Sequence, residues 1–204
     1  MFDKLFKKYN HKRLTDERFE FLFDESENDE IVVFDCETTG LNPKVDEIIS
    51  IGAVKIRGNR ILTDEALHIF VKQEKQITAK SITIHQIRHC DLNGAIPIQE
   101  AIEKFLYYIG NKRVVGYYLE FDIAMINRYT KPFFGVTLPN KREEISAIYY
   151  DKKICPIPQG HIDLRFDTII KDLALPTLKA HDALNDAVMS AMMYIKLQQV
   201  KKLY

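Results

Sequence analysis

From residue 31 onward, short apolar runs alternate with longer amphipathic stretches, a pattern that predicts mixed α/β structure. The run "IVVFD" (31–35) has the length and apolar character of a central strand. Next, "DEIISIGAVKI", the pair Gly58-Asn59 and "RILTDEALHIFV" predict a long β-hairpin. In "IPIQEAIEKFLYYIG" the spacing turns helical, with Ile98, Ile102, Phe105, Leu106 and Ile109 on one face and Gly110 as the stop. "RVVGYY" predicts another strand, and "EFDIAMINRYT" a helix stopped by Pro132. "REEISAIYYDKKI" is ambiguous between strand and helix. "QGHIDLRFDTIIKDLAL" predicts a helix, and "HDALNDAVMSAMMYIKLQQV" a long final one. On that last helix Ala183, Ala187, Val188, Ala191, Met192 and Ile195 form the expected core stripe. A hairpin followed by strands alternating with helices implies a mixed sheet covered by helices.

Residues 1–29 differ in character and are read as an N-terminal helical arm and linker ahead of a domain spanning 30–204. "FDKLFKKYNHKR" is basic, with Phe2, Leu5 and Phe6 on one helical face. "LTDERFEFLFDESENDE" turns acidic; Thr15 is the expected cap of a short helix carrying Phe19, Phe21, Leu22 and Phe23. Such an arm either packs on the domain or docks a partner.

Composition narrows the class. At 204 residues the chain suits one domain with a full core. No apolar run approaches the ~18–20 residues of a membrane span, and the N-terminus lacks the apolar segment of a signal peptide. Cys36, Cys90 and Cys155 show neither a disulfide framework nor a Cys-x-x-Cys spacing, which fits a cytoplasmic protein. A net charge of +0 supplies no global basic field, so a nucleic-acid partner would have to be held locally.

The candidate chemistry lies in three acidic segments. Side chains alternate along a strand, so Asp35 and Glu37 project to one face about 7 Å apart. "TTGLNP" then forces a turn at the carboxyl edge of the sheet, where open α/β folds bind ligands. Asp122 follows a strand in the first turn of a helix, a place that suits an acid with or without a function. Asp186 lies beside the alanines of the final helix, and His181 just precedes that helix. Four carboxylates brought together without cations would repel and take up protons. The three segments contain no Arg or Lys, and Lys179 is the nearest. A hard divalent ion with oxygen ligands, Mg²⁺ or Mn²⁺, is the better partner.

"FDCETTGL", "VVGYYLEFD" and "HDALNDA" resemble, in order, the three motifs of the DEDDh (DnaQ-like) 3′–5′ exonucleases. That group includes the proofreading epsilon subunit of bacterial DNA polymerase III. "SITIHQI" is similar to the family segment between the first two motifs, and the likeness runs from about residue 30 to 197. The resemblance implies a ribonuclease-H-like fold, a mixed five-stranded sheet flanked by helices. It also implies two metal ions held by Asp35, Glu37, Asp122 and Asp186, with Asp35 bridging both and His181 as general base. Neutral imidazole suits proton abstraction near pH 7, its ordinary pKa lying near ~6.5. By the same match Thr38, Thr39 and Leu41 cradle the terminal nucleotide, and His85 contacts a phosphate or sugar or serves only structure.

One departure is visible: the family's usual His-Asn before Phe-Asp is Tyr117-Tyr118 here. Tyr118 either stacks on a base or simply finishes a strand. The expected substrate is the 3′ end of single-stranded DNA, released as nucleoside 5′-monophosphates. The alternatives are an exoribonuclease or oligoribonuclease of the same family and a non-catalytic nucleic-acid- or polymerase-binding module. No long tail follows the last helix, which leaves residues 1–29 as the candidate dock for a polymerase or replication partner.

Overall fold

The computed structural model describes residues 2–25, 29–73, 94–154 and 161–203. His85, the "SITIHQI" segment, Cys90 and Cys155 lie outside the described residues. The sheet has five strands: β1 (Ile31–Thr38), β2 (Ile48–Arg57), β3 (Arg60–Phe70), β4 (Arg113–Gly116) and β5 (Arg142–Glu144). Their order is β3-β2-β1-β4-β5, antiparallel across β3-β2-β1 and parallel across β1-β4-β5. The first run is thus the middle strand, and β1 and β4 end at the same edge.

Helices α1 (Phe2–His11), α2 (Ile98–Ile109), α3 (Leu119–Phe134), α4 (Ile145–Ile154), α5 (Phe166–Asp172) and α6 (Ala183–Gln199) complete the fold, with a 3-10 helix over Glu17–Phe23. The hairpin closes at Arg57↔Arg60 across Gly58-Asn59, where Gly58 takes a φ of 60° that a tight two-residue turn requires.

Period-two alternation divides β1 between two cores. Val32, Phe34 and Cys36 pack with α2 and α3, while Val33 faces the core built by α4, α5 and α6. Asp35 and Glu37 share the parity of Val33, so they face the α6 side. α6 lies on β1, β2 and β3.

Several local expectations are corrected. Asp16, not Thr15, caps the 3-10 helix, because its carboxylate accepts the Arg18 N–H while the Thr15 N–H is spent on the Phe134 carbonyl. The N-terminal arm is helical as expected, with Leu5 and Phe6 63% and 53% exposed beside Tyr9 on α1, while Asn10 ties the helix to Thr137. Pro132 does not stop α3. It removes one N–H from the ladder, yet the chain stays helical through Phe134 and the helix ends at Gly135 with φ 74°. The ambiguous segment is both things, β5 and then α4. The helix predicted from Gln159 begins only at Phe166, after Asp163 has turned the chain by accepting the Arg165 N–H and the Thr168 hydroxyl. On α6 the stripe is broader than expected. Val188, Met192 and Ile195 are half-buried, whereas Met189, Ser190, Met193, Tyr194 and Leu197 are buried, because both the sheet and its neighbouring helices cover α6.

Candidate active site

β1 carries the first two acids to the edge of the sheet. Asp35 pairs in register with Gly52 and Glu37 with Ser50, and an irregularity in the ladder follows Glu37 as the chain leaves β2. Burial drives the Asp35 carboxyl well above the usual carboxylate range, aided by repulsion from Asp122, Asp186, Glu37 and Asp182. Glu37, 9% exposed, is pushed up to about 7 by burial and then by Asp186 and Asp182.

Asp122 arrives from the other core. It is buried in the first turn of α3, and its Oδ1 accepts the Cys36 N–H at 3.2 Å, which ties the helix to the strand between the two acids. Burial again raises its carboxyl well above the usual range, opposed in part by that hydrogen bond. The start of α3 is held from outside. Glu144, paired with Gly116 across β5 and β4, accepts the N–H groups of Tyr118 and Leu119 on its two oxygens at 3.1 and 2.8 Å. Sequence reasoning missed Glu144. It is 25 residues from Leu119, and only strand pairing brings it near.

The third segment is the start of α6. Asp182 caps the helix by accepting the Asn185 N–H at 3.0 Å. Asp186 is pushed up to about 6, chiefly by burial, while the His181 N–H on its Oδ2 at 3.1 Å pulls the other way. His181 is exposed on a left-handed turn with φ 60°. One ligand atom each from Glu37, His181 and Asp186 falls within 4.8 Å of the others. The close approach depends on Gly52: a Cβ there would lie 2.2 Å from the Ala183 carbonyl carbon and the Leu184 nitrogen.

The turn after β1 is organised by Asp46, a residue that sequence reasoning passed over. Its carboxylate accepts the Thr39 hydroxyl at 3.0 Å and the Asn42 N–H at 2.8 Å, while Arg128 of α3 donates to its carbonyl. Thr39 Oγ1 also accepts the Glu47 N–H, and the Thr38 hydroxyl donates to the Gly40 carbonyl. Leu41 is left 82% exposed at the tip. An acid shortly after a Thr-Thr-Gly turn was the available signal.

Among the described residues, no Lys or Arg forms a salt bridge with Asp35, Glu37, Asp122 or Asp186. Asp186 Oδ1 is buried and accepts no hydrogen bond. Raised carboxyls, an orphaned buried oxygen and an all-oxygen donor set beside one imidazole fit a hard divalent cation.

A family model described as RNase_T, Exonuclease, matches residues 32–194. The chain belongs to this exonuclease family. Its members are nuclease hydrolases, and the five-stranded mixed sheet is their ribonuclease-H-like fold. The chain is 31% identical over 171 residues to a PolC-type DNA polymerase III of Thermotoga maritima, covering 84% of this chain but 12% of that protein. It is 30% identical to the DNA polymerase III epsilon subunit of Aquifex aeolicus, covering 81% of this chain and 79% of that one. It thus spans about an eighth of the PolC-type relatives and most of the epsilon subunit. E. coli exonuclease I, solved in complex with a dT13 oligonucleotide, superposes with a TM-score of 0.65 at 15% identity, over 83% of this chain and 41% of that one. None of the described helices of this exonuclease is long and apolar enough to cross a membrane.

Proposed function

We propose that this chain is a 3′–5′ exonuclease that removes nucleotides from single-stranded DNA with two bound Mg²⁺ or Mn²⁺ ions, releasing nucleoside 5′-monophosphates. One observation carries the reading. Acids from β1, α3 and α6 converge with no Lys or Arg ion pair among the described residues, and one of their buried oxygens is left unsatisfied.

In this reading Asp35, Glu37, Asp122 and Asp186 hold the ions, with Asp35 between the other three. When bound, the ions make a water acidic enough to attack at neutral pH and stabilise the leaving 3′ oxygen. His181 takes the proton of the attacking water on its imidazole; its exposed turn lets the ring face the substrate while its N–H stays on Asp186. Water adds to phosphorus, the bond to the 3′ oxygen breaks, and that oxygen leaves with a proton. Thr38, Thr39 and the projecting Leu41 hold the terminal nucleotide. His85 is assigned to the same strand by its motif alone.

The names of the polymerase relatives support association with a replicative polymerase. Exposed Leu5, Phe6 and Tyr9 make residues 1–29 the proposed dock, and 30–204 the exonuclease domain. A cytoplasmic location follows from that role.

The test is hydrolysis of a 5′-labelled single strand. Stepwise shortening with Mn²⁺, absent with chelator and in Asp35→Ala, is the expected result. A wild type no faster than that variant overturns the proposal and favours a non-catalytic module. Faster loss of a matched RNA strand would move the substrate to RNA.

A further inference from the structure

We propose that Tyr118 is a base-stacking residue: its ring holds one nucleobase of the single strand against the first turn of α3, beside the acid cluster. This rests on the nuclease reading above and assigns how the strand is gripped there.

Three observations meet at this residue. Tyr118 is 65% exposed at the carboxyl edge of the sheet, although Leu119 beside it is buried. The ring lies nearly parallel to that of Phe121, at 13° with centroids 6.0 Å apart, an offset arrangement that leaves most of the tyrosine ring uncovered. The backbone is left-handed, φ 56° and ψ 34°, a conformation that a bulky residue rarely takes, and the side chain makes no capping hydrogen bond.

Asn or Gly would suit that backbone better, and Asn would also cap the helix. The tyrosine therefore works against the fold locally, while Glu144 clamps the strained turn by the N–H groups of Tyr118 and Leu119. Tyr118 immediately precedes α3, whose first turn carries Asp122, so the ring stands at the helix end from which that acid enters the site. An uncharged aromatic face offers a phosphate neither a donor nor a positive charge, so a phosphate is not what the ring would receive. A flat, uncharged heterocycle is. Base–aromatic stacking tolerates any base, as removal of successive nucleotides requires.

The test is a double-mutant cycle between ring and base. Labelled strands carry an abasic nucleotide at one of the last three positions, and KM is measured with Mn²⁺ for wild type, Tyr118→Asn and Tyr118→Phe. Tyr118→Asn is expected to raise KM about 5- to 100-fold on the intact strand. Wild type should lose a similar factor when one particular base is missing, and Tyr118→Asn should lose nothing more at that position. Tyr118→Phe should restore the coupling. Thermal denaturation should show Tyr118→Asn at least as stable as wild type. Abasic penalties that are the same in wild type and Tyr118→Asn at every position overturn the proposal, as does a Tyr118→Asn that is less stable with KM unmoved. If wild type hydrolyses no strand, the nuclease reading fails. The same cycle, read by fluorescence anisotropy of strand binding, then still decides the stacking.

Discussion

Gly52 of β2 lies directly beneath Ala183 at the start of α6, so close that a single added methyl would sit 2.2 Å from the Ala183 carbonyl carbon. The same glycine is the register partner of Asp35. One hydrogen-sized side chain therefore sets the separation between the strand that carries Asp35 and Glu37 and the helix that carries Asp186. Backbone atoms cannot swing aside as a side-chain tip can, so a larger residue must shift the helix.

Gly52→Ala is expected to weaken Mn²⁺ binding at least tenfold and to lower stability by about 1–3 kcal/mol, the usual cost of overpacking a close contact. Isothermal titration with Mn²⁺, well below the melting temperature, separates the two effects. A folded Gly52→Ala with wild-type affinity would show that α6 adjusts without disturbing the acids.

Asp35→Asn should uncouple activity from stability. It removes a buried carboxyl crowded by Asp122, Asp186, Glu37 and Asp182, so in chelator the variant should melt higher than wild type. Exonuclease activity should fall at least a hundredfold. A lower melting temperature in chelator would mean that Asp35 supports the fold.

The pH dependence of the metal-free protein follows from Glu37 and Asp186, raised from 4.5 to about 7 and from 3.8 to about 6. Between those values the folded chain holds more protons than the unfolded one, so stability falls as pH rises. It is fully present below about pH 4 and is lost as pH rises through about 6 and then about 7, a change on the order of 6 kcal/mol over the whole range. Of this, on the order of 4 kcal/mol falls between pH 5 and 7.5, so melting in chelator should drop by roughly 10 °C across that window. Saturating Mn²⁺ should flatten or invert the slope, since ligation favours the charged carboxylates. A chelator curve that rises across this window contradicts the buried cluster.

Asp46→Ala tests the turn. It removes the acceptor of the Thr39 hydroxyl and the Asn42 N–H, so Leu41 and the threonines lose their fixed arrangement. KM for a single strand is expected to rise five- to tenfold, with a loss of about 1–2 kcal/mol in urea denaturation. An unchanged KM would remove this turn from the binding surface.

Much of the architecture was legible along the chain because it rests on local periodicity. The apolar run of β1, the hairpin closed by Gly58-Asn59 and the i, i+4 spacing of α2 each specify an element without help from distant residues. The acids stood out for a related reason, since two follow directly on the apolar run of β1 and another lies beside the alanines of α6. Less legible were the stops and caps. Pro132 lies inside α3, Asp16 replaces Thr15, and α5 begins late, because each choice depends on which nearby backbone group is already satisfied.

By itself, then, the sequence determined where the acids stand along the chain and the type of its strongly periodic segments, since alternation and helical spacing are properties of neighbours. Only the tertiary structure decided that Glu144 clamps the start of α3 and that Gly52 admits α6 to the acids. These contacts join residues from separate strands and helices, and the linear pattern does not encode a distance between elements until the sheet has been assembled.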